Sequence, residues 1–157
     1  MRGVLSWLGW ALLTGVAAAV GGLASRNARG FYQSLDRPAW APPSWVFPVV
    51  WPVLYLLMAT AAWMVARAGG PLRGGALALY VVQLVANAAW TWLFFALRRG
   101  AWAMAEVVVL LALVLATHLA FSHVRPLAGQ LLLPYLAWVT YATALTWSVW
   151  RRNPDLL

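Results

Sequence analysis

At 157 residues, 64% of them hydrophobic and only 9% charged, the chain is too apolar for a soluble domain, in which about 25% of residues are charged. Its net charge of +8 comes from eleven arginines against three acids, set between apolar runs; that placement points to membrane topology and lipid headgroups, not to nucleic acid. The absence of cysteine excludes a disulfide framework, a thiolate metal site and a cysteine nucleophile.

Five apolar runs follow in order, at 4–24, 45–66, 75–97, 101–121 and 127–150. Each is long enough, at about 1.5 Å per residue, to cross a hydrocarbon core of about 30 Å. The expected fold is an all-α membrane protein, a five-transmembrane-helix bundle forming one domain over 1–157. The first run opens Met-Arg and contains Ala17-Ala18-Ala19, as a signal peptide does. It outruns the usual apolar region of about 7–15 residues, however, and is read as a span. Arg2, Arg67, Arg73 and Arg125 fall on one side of such a bundle, and Arg26, Arg29, Arg37, Arg98, Arg99, Arg151 and Arg152 on the other. The positive-inside rule then places the N-terminus outside a bacterial cell membrane and the C-terminus in the cytoplasm.

In the first run, Ala11, Gly15 and Ala19 recur every four residues, and Ala18 with Gly22 repeats the spacing. Gly74 and Ala78 repeat it more weakly in the third. Small residues on one face allow close helix approach, either between two copies of the chain or within one bundle. The connection at 25–44 is the one long loop. Together with the start of the second run it holds five of the nine prolines and three of the twelve tryptophans, all within 31–55. Pro38, Pro42 and Pro43 stiffen this loop, and Pro42 and Pro43 suit the first turn of a helix. Pro48 and Pro52 are expected to bend the helix that follows. The loop and this helix are expected to form the cover and wall of a binding site. Arg26, Arg29 and Arg37 are placed there to pair with ligand carboxylates or with lipid phosphates.

Gln83, Asn87, Trp90 and Phe94 share one face of the third run. Buried amides in a membrane helix need partners, on a ligand or across a helix interface. In the fourth run, Glu106 is expected at the interface or paired with Arg98 or Arg99. His118 and His123 are five apart, off any common face, and no metal site is expected. In the fifth, Tyr135, Trp138 and Ala142 share a face just after Pro134, which is expected to loosen the helix, and Trp147 and Trp150 suit an interfacial aromatic belt. The chain has no carboxylate pair, Ser/His/Asp set or glycine-rich phosphate loop, so hydrolysis and phosphoryl transfer are not expected. A pocket of indole, phenol and amide groups suits a flat, largely apolar ligand with a few polar groups.

Three blocks carry a specific resemblance. They are Phe31-Tyr32 through Leu35-Asp36-Arg37-Pro38, Trp40-Ala41-Pro42-Pro43, Trp45, Trp51 and Tyr55; Gln83, Asn87, Trp90 and Phe94-Phe95; and Pro134-Tyr135-Leu136-Ala137-Trp138 through Ala142 to Trp150-Arg151-Arg152-Asn153. In these blocks the chain resembles the TspO/MBR family of tryptophan-rich sensory proteins and translocator proteins. The resemblance implies a membrane receptor or sensor, often homodimeric, that binds protoporphyrin IX and other lipophilic small molecules under the first loop. It implies ligand contacts at Tyr32, Trp51, Asn87, Trp90, Phe94, Trp138 and Ala142, with porphyrin as ligand and no required cofactor. The alternative it carries is a light- and oxygen-dependent porphyrin-degrading enzyme in which Trp51 and Trp138 act. The chain departs from the family at Thr146, where Asn is common, and at Trp147, which replaces the Tyr of a sterol-recognition pattern.

Overall fold

The computed structural model describes residues 2–157, and every regular element among them is helical. Five long helices, α1 (Arg2–Ala24), α3 (Val46–Ala68), α4 (Arg73–Thr91), α5 (Gly100–Val124) and α7 (Leu133–Arg152), are joined by two short ones, α2 (Ala28–Ser34) and α6 (Pro126–Leu131). A π-helical turn, Trp92–Ala96, continues α4. Helices α1, α3, α4 with its π turn, and α5 are long and apolar enough to cross a membrane. In α7 the Trp, Tyr and Thr residues lower the hydropathy of a helix of similar length.

The helix ends sort into two sets. The Trp63 indole donates to the Gly3 carbonyl at 3.1 Å, which places the start of α1 beside the end of α3. At the opposite end, Asn153 after α7 reaches Asp36 in the first connection, and Arg98 before α5 covers Phe31 of α2. Arg67 thus lies at the first end, beside Gly3, and Arg98 and Arg152 lie at the other.

Several local expectations are corrected. The first connection is partly helical, because Phe31, Tyr32 and Leu35 bury their side chains in the bundle and hold α2 against it. Pro42 and Pro43 lie before the helix, since α3 starts at Val46. Pro48 then falls in the first turn, where no intrahelical donor is lost, and only Pro52 sits inside α3. The run at 127–150 is divided at Leu132, and Pro134 helps to start α7 instead of loosening it. Gly129 is required in α6: an added Cβ would collide with the Ser122 side chain and lie 2.9 Å from its Cα. Its carbonyl accepts from the His118 Nδ1–H at 2.9 Å, which gives that histidine a structural partner.

Glu106 is partly buried in α5, and one carboxyl oxygen is enclosed without a hydrogen-bond partner. It does not pair with Arg98 or Arg99, because those residues lie in the connection and Arg98 is turned onto Phe31. On α1, the faces toward the bundle are Trp10, Thr14, Ala17 and Gly21; Thr14 and Tyr80 share a hydrogen bond of 2.6 Å. The Gly15 and Ala19 face points outward, and a Cβ at Gly15 meets nothing within 4 Å, so this spacing does not serve packing within one bundle.

Candidate functional site

The first connection is tied down at several points. Asn153 accepts from the Asp36 amide at 2.8 Å and donates to the Asp36 carbonyl at 2.9 Å. Arg152 adds an ion pair to Asp36 at 3.6 Å, but both groups are well exposed and contribute little. The Tyr141 hydroxyl donates to the Trp40 carbonyl and the Tyr32 hydroxyl to the Pro42 carbonyl, each at 2.8 Å. Burial pushes the Tyr32 phenol above its ordinary value, and the Arg37 guanidinium over its ring opposes this only in part. Tyr32 thus stays a neutral donor. Substituting Asn153→Ala removes both bonds to Asp36 and is expected to speed hydrogen exchange of its amide at least about tenfold, since the lost acceptor alone is worth about 1.4 kcal/mol. Unchanged exchange would show that the clamp does not hold the loop.

Beneath this loop lies a cavity of about 630 Å³, bounded by α1, α2, α3 and the end of α4. Such a volume fits a small-molecule site. Its floor is Trp51, Tyr55, Trp90 and Thr91; Ala18, Gly21 and Gly22 of α1 form one side, and Ser25, Arg29 and Ser44 lie toward the loop. A second, barely water-sized crevice of about 20 Å³ lies on the α7 side, lined by Phe94, Trp138, Ala142 and Thr146 among others. Tyr32, Phe47, Trp90 and Phe95 line both and form the wall between them.

The residues implied by the resemblance are therefore distributed. Tyr32 and Trp90 face both spaces, Trp51 faces the large cavity, and Phe94, Trp138 and Ala142 face the crevice. Trp138 stands behind the wall, with ring centroids 5.9 Å from Phe47 and 6.4 Å from Trp51. Asn87 lines neither space and is fully buried. Its Oδ1 accepts from the Tyr55 hydroxyl at 2.9 Å and its Nδ2 donates to the Tyr135 hydroxyl at 3.0 Å. Tyr135 in turn donates to Gln83 Oε1 at 2.9 Å. Both amides therefore join helices α3, α4 and α7. Asn87 supports the cavity through Tyr55, which stacks on Trp51 at 5.4 Å and 28°.

Sequence reasoning missed the α1 side of the cavity, although the Ala18–Gly22 spacing was its available signal. It also missed Phe95. In a regular helix Phe94 and Phe95 diverge by 100°; here the π turn, with Leu97 donating to the Trp92 carbonyl at 2.9 Å, adds a residue and lets both rings pack with Trp90.

The model of the TspO/MBR family matches residues 10–151. The chain belongs to the TspO/MBR family. It is similar to the tryptophan-rich sensory protein of Cereibacter sphaeroides, with 43% identity over 148 residues, 92% of each chain. It is also similar to the translocator protein of Sus scrofa, 38% identical over 154 residues, which cover 94% of this chain and 91% of that one. The tryptophan-rich protein TspO of Chlorobaculum tepidum is 34% identical over 150 residues, 92% of this chain and 95% of that protein. With this membership and its apolar helices, the chain is a multi-pass integral membrane protein.

Proposed function

We propose that the chain is a membrane receptor or sensor that binds protoporphyrin IX and related lipophilic ligands in the cavity beneath the first loop. The observation that carries the reading is the cavity itself: about 630 Å³, floored by indole and phenol rings and bordered on the loop side by Arg29 and Tyr32 of α2 and by Ser44. Flat aromatic ligands gain area and stacking from such a floor, and the few polar groups at the rim fix their orientation. Trp90, Tyr32 and Trp51 contact the ligand directly. Phe94, Trp138 and Ala142 shape the wall from behind, and Asn87 orients Tyr55.

In this reading α7 completes a five-span bundle, with the N-terminus outside and the C-terminus in the cytoplasm of a bacterial cell membrane. The outward Gly15 and Ala19 face serves self-association into a homodimer. The names of the relatives, a sensory protein and a translocator, agree with a ligand-responsive membrane role.

A second reading has its own observation. Trp51 lies on the cavity wall in ring contact with Tyr55, Tyr135 and Trp138, so an oxidisable cluster borders the ligand. It supports light- and oxygen-dependent porphyrin breakdown. One titration addresses both. Purified protein is mixed with protoporphyrin IX in the dark and then illuminated, following tryptophan fluorescence and porphyrin absorbance. Saturable quenching near one porphyrin per chain is the expected result; partitioning no different from empty micelles would contradict it. Protein-dependent bleaching that is lost in Trp51→Phe would establish the enzymatic reading, and equal bleaching with and without protein would eliminate it.

A further inference from the structure

Among the described residues, Arg29 is the one charged side chain in the cavity wall. It stands one turn before Tyr32 on α2, so both side chains share the face turned to the cavity. Around it the rim is polar, with Ser25 and Ser44, whereas the floor of Trp51, Tyr55 and Trp90 is aromatic. The space is thus amphipathic along one direction, with its cation at the loop end.

The other arginines near this end are mostly committed. Arg37 lies 4.8 Å over the Tyr32 ring, Arg98 4.6 Å over Phe31 and Arg151 5.5 Å over Trp147, while Arg152 pairs with Asp36. Among the described residues, Arg29 has neither an ion pair nor an aromatic ring beneath its guanidinium. Arg26 and Arg99 are also uncommitted in this sense, but neither lines the cavity. Of the three loop arginines that the sequence offers for anion pairing, the geometry selects one.

We infer that Arg29 is a specificity residue that selects ligands bearing a carboxylate at one end of an otherwise flat, apolar body. The guanidinium offers paired N–H donors that match a carboxylate, and the aromatic floor takes the rest of the molecule. The inference rests on the porphyrin-binding reading and narrows it: the free acid binds with its carboxylate at the loop end, and an uncharged ester of the same ring lacks that anchor.

The test compares protoporphyrin IX with its dimethyl ester, by tryptophan quenching in the dark, in zwitterionic nanodiscs. The wild type is expected to favour the diacid about tenfold, as suits one hydrogen-bonded charge pair at a partly hydrated rim. Arg29→Gln is expected to remove that preference and leave ester binding unchanged, and Arg26→Gln to keep it. Because Arg29 is exposed and unpaired, its substitution leaves folding intact, and unchanged ester binding by the variant verifies this. A diacid preference that persists in Arg29→Gln, or an equal loss of both ligands, overturns the inference. So does a preference that vanishes when anionic lipid is added to the nanodiscs, which would assign Arg29 to lipid phosphate. If diacid and ester bind the wild type equally, the porphyrin reading stands and the Arg29 inference falls. If neither binds saturably, the porphyrin reading itself fails.

Discussion

Replacing Asn87 by leucine is expected to lower stability by about 1–3 kcal/mol, read as a fall in the thermal unfolding midpoint of the detergent-solubilised protein. Leucine keeps the branched skeleton of asparagine and leaves no cavity, so the loss comes from hydrogen bonds, with some crowding by its bulkier methyl groups at this fully buried site. The Tyr55 hydroxyl loses its Asn87 acceptor, and the Tyr135 hydroxyl loses a donor while keeping Gln83. An unpartnered Tyr55 hydroxyl, half-buried at the cavity floor, costs more than the bond itself contributed. The double variant Asn87→Leu with Tyr55→Phe should therefore cost less than the sum of the single changes, because no orphaned hydroxyl remains at Tyr55. Simple additivity would mean that the network is not coupled. Porphyrin affinity should fall with Asn87→Leu as well, since Tyr55 and the Trp51 ring stacked on it form the cavity floor.

How far this was legible from the sequence differs by element. The four-residue and three-residue spacing of Gln83, Asn87, Trp90 and Phe94 predicts a single face, and all four are buried together. Helical periodicity fixes such a face without reference to neighbours. What periodicity cannot supply is the partner: Asn87 is satisfied by two tyrosines on other helices, a fact of tertiary packing. The same limit separates Trp51 from Trp138. Both are tryptophans of proline-marked segments, yet Trp51 faces the cavity and Trp138 stands behind Phe47. The loop could be read as a cover from its prolines, but α2 within it depends on the burial of Phe31, Tyr32 and Leu35. Glu106 shows the opposite failure. Nearness to Arg98 and Arg99 in sequence suggests an ion pair, whereas the connection turns through Arg98 at φ 51° and carries that guanidinium to Phe31. The break at Leu132 was hidden because Leu131, Leu132 and Leu133 carry apolar character straight across it.

Porphyrin is proposed to occupy the cavity between α1 and α3. Gly22 allows a direct test. It lines that cavity, its helical backbone accepts any side chain, and an added Cβ meets nothing within 4 Å. A tryptophan placed there puts an indole into the ligand's space at no cost in packing, and leaving glycine behind favours the helix by up to about 1 kcal/mol. Gly9 serves as control: it lies on the same helix, away from the cavity, with equally open surroundings. The measurement is a dark titration of wild type, Gly22→Trp and Gly9→Trp with protoporphyrin IX, alongside their unfolding midpoints. Gly22→Trp is expected to weaken binding at least about tenfold, a loss of about 1.4 kcal/mol or more, with an unchanged or raised midpoint, while Gly9→Trp binds as the wild type does. Saturable binding of equal strength in Gly22→Trp would place porphyrin outside this cavity.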